Sequence, residues 1–201
     1  MSMKIYRNIF ATAAVILFAA ACRQGGWSAN ERSIIRDSGE TMRVLRITDR
    51  NDSLVLRTEC RGIPRKELKR EEYILLAQKM IATVTSPAED GVGIAGPQVG
   101  ISRRIVAVQR FDKEGFPFEV YPNIRISAYR GDKKTGSEGC LSIPDRQGNV
   151  ARYRDIDISY TSPLTLKDTT ENINGFTAVI FQHECDHLDG ILYTDYIDGA
   201  I

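Results

Sequence analysis

The chain contains only two histidines, and both fall in one five-residue stretch, His183-Glu184-Cys185-Asp186-His187. On an α-helix, positions four apart lie one turn above one another on the same face, so two imidazoles at this spacing can reach a single ion. The spacing therefore requires this stretch to be helical if the histidines act together. Residues 175–188 satisfy that requirement: Phe176, Val179, Ile180, His183 and His187 share one helical face, and Asn174 stands at the N-cap position. Glu184 lies beside the pair without belonging to it, as a general base must. A catalytic metal site of this kind needs a third protein ligand and an open position. No histidine remains to supply it. Cys185 lies about 200° around the helix from His183 and faces away, which leaves Cys60, Cys140 or a carboxylate.

The rest of the chain reads as one α+β domain. A helix is expected over 65–85, with Pro64 at its start, an apolar stripe of Ile74, Ala77, Ile81 and Val84 widened by Tyr73, Leu76 and Met80, and Ser86-Pro87 ending it. Arg43–Ile47 and Leu54–Leu56 read as short segments joined by turn chemistry at Asn51-Asp52-Ser53. Strand-like runs follow at Ile105–Gln109, Phe118–Tyr121, Ile124–Tyr129 and Ile156–Tyr160, separated by Gly, Pro, Asp and Asn. Short strands with two distant helices predict a mainly antiparallel sheet architecture packed around the C-terminal helix that carries HExxH.

The N-terminus carries a different signal. Lys4 and Arg7 precede an apolar run from Ile9 to Ala21 that ends in Ala19-Ala20-Ala21-Cys22. The run is shorter than the roughly 20 residues of a membrane span and has the layout of a secretory leader. Small residues before Cys22 suit lipoprotein processing, so residues 1–22 are read as a leader with a lipid anchor at Cys22. Residues 23–41 are polar and read as a tether, and residues 42–201 as the domain. A membrane-associated lipoprotein is the expected location, with a cytoplasmic product started at Met42 as the alternative. Formal charge is +1, and loss of Lys4 and Arg7 with the leader turns it to −1. Interspersed charges near neutrality give no electrostatic support for nucleic-acid binding.

Three segments together carry a resemblance. GVGIAGPQVG (91–100), EGCLSIP (138–144) and HECDHLDG (183–190) resemble, in order and spacing, the signature motifs of bacterial peptide deformylases. The chain departs at Gly96-Pro97, where Ala and a variable residue are usual, and at Ile94, where Leu is usual. The resemblance covers about residues 42–198. It implies Cys140, His183 and His187 as metal ligands, with ferrous iron as the ion and zinc, nickel or cobalt able to replace it. It implies Glu184 as the proton-transfer residue, with Gln98 and the backbone N–H of Leu141 facing the developing oxyanion. N-formylmethionyl peptides are the implied substrates of a monomeric enzyme. Val92, Gly93 and Ile143 would pair with the peptide, Arg152 would lie near it, and Val179 and Ile180 would line a pocket for the methionine side chain. A zinc protease or an inactive surface lipoprotein are the competing readings, and neither accounts for EGCLSIP.

Overall fold

The computed structural model describes residues 26–199; the leader and Cys22 lie outside the described residues. In chain order these form α1 (Ala29–Asp37), α2 (Arg50–Leu56), a 3-10 turn (Arg65–Lys69), α3 (Glu71–Val84), β1 (Gly93–Ala95), a second 3-10 turn (Gly96–Val99), β2 (Ile105–Gln109) and β3 (Phe118–Pro122). They continue with β4 (Arg125–Cys140), β5 (Ile143–Thr161), β6 (Asp168–Asn174), α4 (Gly175–Leu188) and α5 (Tyr193–Ile197). Two antiparallel sheets result, β1-β2-β3 and β4-β5-β6. The expected α+β class with antiparallel sheets is what the chain adopts. α4 packs against strands of both sheets, and its buried Ala178, Ile180, Phe181, Cys185 and Leu188 share one core with Val106, Val108, Ile156, Ile158 and Ile173. Among the described residues no helix is long and apolar enough to cross a membrane.

Several expectations need correction. Residues 23–41 are not a tether throughout: α1 occupies 29–37 and packs on α3. Its start is a capping box, in which Ser28 Oγ accepts from Glu31 N–H at 3.1 Å and Glu31 Oε2 accepts from Ser28 N–H at 2.7 Å. Trp27 and Ile35 then enter the core. Ser28-x-x-Glu31 was the signal; the polar composition around it masked the few apolar residues that bury. Asn51-Asp52-Ser53 is not a turn but the first turn of α2, capped by Asp49 Oδ1, which accepts from the N–H groups of Asn51 and Asp52. Arg43–Ile47 runs beside the site without joining a sheet, Leu45 N–H donating to Gln98 O and Ile47 N–H to Ser142 O.

The helix expected over 65–85 breaks at Arg70, whose extended backbone separates the 3-10 turn from α3. The buried stripe of α3 is Tyr73, Leu76, Met80 and Val84, while Ile74 faces solvent at 52% exposure. β4 and β5 are far longer than their apolar cores, because the ladder continues through polar residues to a two-residue turn at Leu141-Ser142. β6, a polar strand outside the expected runs, pairs with the Asp155–Thr161 end of β5. Asn174 holds the N-cap position of α4, but its side chain donates to Asn172 Oδ1 instead of capping.

The N-terminal segment is locked by a buried ion pair. Arg103 and Glu31 are 3% and 8% exposed at their side chains, and Arg103 Nη2 donates to Glu31 Oε2 at 3.0 Å. The same guanidinium donates to the carbonyls of Gly26 and Gly62 and stacks over the Trp27 ring. Burial alone would raise the Glu31 carboxyl; hydrogen bonds from Arg103 and Ser28 outweigh it and hold the group down from 4.5 to about 2. A pKa lower in the folded state stabilises the fold above pH 4.5, and that contribution is lost as pH falls towards 2. Glu31→Gln removes the carboxylate that pairs with the buried Arg103, so it should destabilise at pH 7 by about 3 kcal/mol. Urea unfolding at pH 7 and pH 3 should show the gap between wild type and variant narrowing in acid. Equal midpoints at pH 7 would contradict the lock.

Candidate active site

Three elements converge on one cleft of about 730 Å³. α4 supplies His183, Glu184 and His187; the β4–β5 turn supplies Cys140; the 3-10 turn after β1 supplies Gln98. The ligand atoms of Cys140, His183 and His187 all lie within 4.8 Å of one another, and Cys140 Sγ is 3.2 Å from His187 Nε2. Of the alternatives for a third ligand, Cys60 and Cys185 are buried in the apolar core shared by the sheets and α4. Burial pushes the Cys60 thiol up to about 12. Cys140 behaves in the opposite way. Burial would raise it, but the imidazoles of His187 and His183 hold it well below its ordinary range, as a thiolate.

Glu138 determines how the histidines are presented. It lies two residues before Cys140 on β4, so both side chains point to the same face. Its Oε2 is 2.9 Å from His183 Nδ1, which makes Nδ1 the donor and turns Nε2 towards the cysteine. Arg152 grips Glu138 with two hydrogen bonds, at 2.8 and 3.1 Å, and reaches Asp186 with its remaining arm. Burial would raise the Glu138 carboxyl, yet His183 and Arg152 bring it down to about 2, so it stays charged. Arg152 itself is 4% exposed and does not line the cleft. Its expected place beside the substrate is therefore corrected: it braces the ligand set from behind.

Gln98 is oriented by the backbone. Ala95 N–H donates to its Oε1 at 2.8 Å, so the amide nitrogen must face the other way. There Nε2 donates to Ser142 Oγ at 3.2 Å and lies 3.6 Å from Cys140 Sγ. The departure at Gly96 has a steric reason, since a Cβ there would sit 2.7 Å from the carbonyl oxygens of Ile101 and Arg103. Pro97 occupies the first turn of the 3-10 segment, where its missing N–H costs nothing.

Glu184 is 4% exposed and its Oε2 has no hydrogen-bond partner among the described residues. Burial raises its carboxyl to about 7. Its Oε1 abuts Gly93, where any Cβ would collide with the carboxylate and with Ile180 Cγ2 at 2.8 Å. Val92, Gly93, Leu141, Ile143, Val179 and Ile180 all line the cleft, as does Phe176 at 51% exposure. Glu138, Ser142 and Asp186 are site residues that no motif marks in isolation; for Glu138 the signal available is its alternation with Cys140 along one strand.

The site fits a divalent ion on its own chemistry. One thiolate and two imidazole nitrogens converge, an orienting carboxylate fixes one tautomer, and a buried carboxylate oxygen beside them lacks a partner among the described residues. Cys140, His183 and His187 would hold it, with Glu138 orienting His183 from behind.

Comparison with known proteins agrees with this geometry. Residues 44–200 match the family model described as polypeptide deformylase. A peptide deformylase of Symbiobacterium thermophilum is 45% identical over 113 residues, 56% of this chain; the matched stretch spans about half of that relative's length, 51%. A peptide deformylase of Leptospira biflexa is 32% identical over 153 residues, covering 73% of this chain and 84% of the relative. Among solved structures, the Met-Ala-Ser-bound class I type b peptide deformylase of Acinetobacter baumannii superposes with a TM-score of 0.68. It is 31% identical, and the match covers 78% of this chain and 98% of that one. Fold and sequence agree: this chain belongs to the polypeptide deformylase family.

Proposed function

We propose that this chain, acting as a monomer, hydrolyses the N-formyl group of N-formylmethionyl peptides to formate and a free α-amine. The observation that carries the reading is the meeting of Cys140, His183 and His187 with the buried, unpaired carboxylate of Glu184 and the backbone-oriented amide of Gln98. The Acinetobacter baumannii relative with Met-Ala-Ser bound supports a peptide in the equivalent cleft.

Cys140, His183 and His187 would hold ferrous iron, or zinc, nickel or cobalt in its place. Such an ion supplies Lewis acidity, which brings the pKa of a water down towards about 7. Glu184 accepts the proton of the attacking water and passes it to the departing amine. As the formyl carbon becomes tetrahedral, negative charge grows on its oxygen. The Nε2–H of Gln98 and the backbone N–H of Leu141 donate to that oxygen, and Gln98 needs no reorganisation because Ala95 already holds it. The peptide lies extended between Val92-Gly93 and Ile143-Pro144 and hydrogen-bonds as an added strand. Its first side chain enters between Val179 and Ile180.

The leader belongs to the same proposal: residues 1–22 export the chain and Cys22 carries lipid, placing the enzyme at a membrane. A product started at Met42 would lack Trp27, Glu31 and Ile35 and would leave Arg103 buried without its carboxylate. That cost favours the longer chain.

Glu184→Gln should retain the metal and lower kcat on formyl-Met-Ala-Ser by at least about 100-fold; wild-type kcat would contradict the assignment. Gln98→Ala should raise the barrier by about 3 kcal/mol, read as a fall in kcat with little change in KM. Unblocked Met-Ala-Ser should be left intact, and its cleavage would favour a peptidase instead.

A further inference from the structure

We infer that the face formed by the 3-10 turn Arg65–Lys69 and the β5–β6 turn is the surface that this protein lays against an anionic lipid bilayer. The inference rests on the leader reading above and adds which side of the domain meets the membrane.

Four observations meet on this face. At Gly26 a Cβ would sit 3.1 Å from Glu67 Oε1, so the chain passes directly beside the 3-10 turn there. Only three residues separate Gly26 from Cys22, four steps of the chain with a reach of at most about 14 Å. With the segment from Trp27 onward locked by Arg103, a lipid on Cys22 leaves the domain little freedom to stand away from the bilayer. The turn itself is basic: Arg65, Lys66, Lys69 and Arg70 are all exposed, and Glu67, the acidic residue among them, is buried.

The β5–β6 turn is tied to the same place. Lys69 Nζ donates to Leu164 O at 3.1 Å, and Arg65 Nη1 donates to Leu166 O at 3.0 Å. These bonds present Leu164 at 84% exposure, the most exposed of the large apolar side chains among the described residues. Lys167 adds a further exposed cation beside it. Acidic groups on the face are Asp168, which pairs with Arg65, and the exposed Glu71; the cations outnumber them.

A protruding leucine ringed by lysine and arginine, next to the point where an anchored segment emerges, suits the boundary between lipid headgroups and acyl chains. One acyl chain alone binds membranes reversibly, and a basic patch is the usual second signal for stable attachment. Each Lys or Arg at an anionic surface strengthens association by roughly fivefold, and salt screens the effect.

The test uses the full, metal-loaded chain with vesicles of phosphatidylcholine alone or mixed with phosphatidylglycerol bearing brominated acyl chains. Leu164→Trp should be quenched on the anionic brominated vesicles. Leu54→Trp, at an exposed position outside the face, should show no quenching beyond the buried Trp27. Lys66→Glu with Arg70→Glu should weaken association with anionic vesicles by about 25-fold or more, and high salt should narrow the difference. Salt-sensitive binding to anionic vesicles with quenching at 164 supports the face even if the leader does not anchor. Equal binding to both vesicle types with Leu164→Trp unquenched overturns the face and leaves the leader reading intact. No association with either vesicle type overturns both.

Discussion

The ionic chain Asp186–Arg152–Glu138–His183 is the interaction on which the site depends. Glu138 comes from β4, Arg152 from β5, and Asp186 and His183 from α4, so one buried network ties the long hairpin to the helix. Cys140 reaches the histidines only because this hairpin is held against α4. A buried carboxylate would be costly alone. Here it is matched by a guanidinium and an imidazole, and the match fixes the tautomer that a metal ligand requires. Loss of any member would leave another charge buried without compensation, so the network resists partial replacement.

A second level of positioning comes from the backbone. Gln98 is turned towards Cys140 by one N–H from Ala95, and the loop that makes this possible needs Gly96 where a side chain would strike two carbonyl oxygens. Gly93 likewise lets β1 pass against the Glu184 carboxylate. Burial of Glu184 lifts its carboxyl from 4.5 to about 7, into the range of an imidazole, where it can both take and return a proton.

Much of the site was legible because it is local. The spacing of His183 and His187 specifies a shared helical face, and Cys140 sits at a tight turn within a recognisable motif. What was not legible is long-range or polar. Arg152 looks like any surface arginine until β5 is paired with β4 and α4 is laid across both. β6 has almost no apolar residue, and its strand character comes from the free edge of β5. α1 has a legible capping box, but its burial depends on Arg103, 72 residues away, receiving Glu31 in the core. Polar composition made residues 23–41 look like a tether; one ion pair and two apolar residues make their C-terminal part structural.

The most direct measurement of the central claim is X-ray absorption at the zinc edge of the zinc-loaded chain. Ligation by Cys140, His183 and His187 predicts one sulfur scatterer near 2.3 Å and two imidazole nitrogens near 2.0–2.1 Å, with the sulfur lost in Cys140→Ala. A first shell of nitrogen and oxygen alone in the wild type would contradict it.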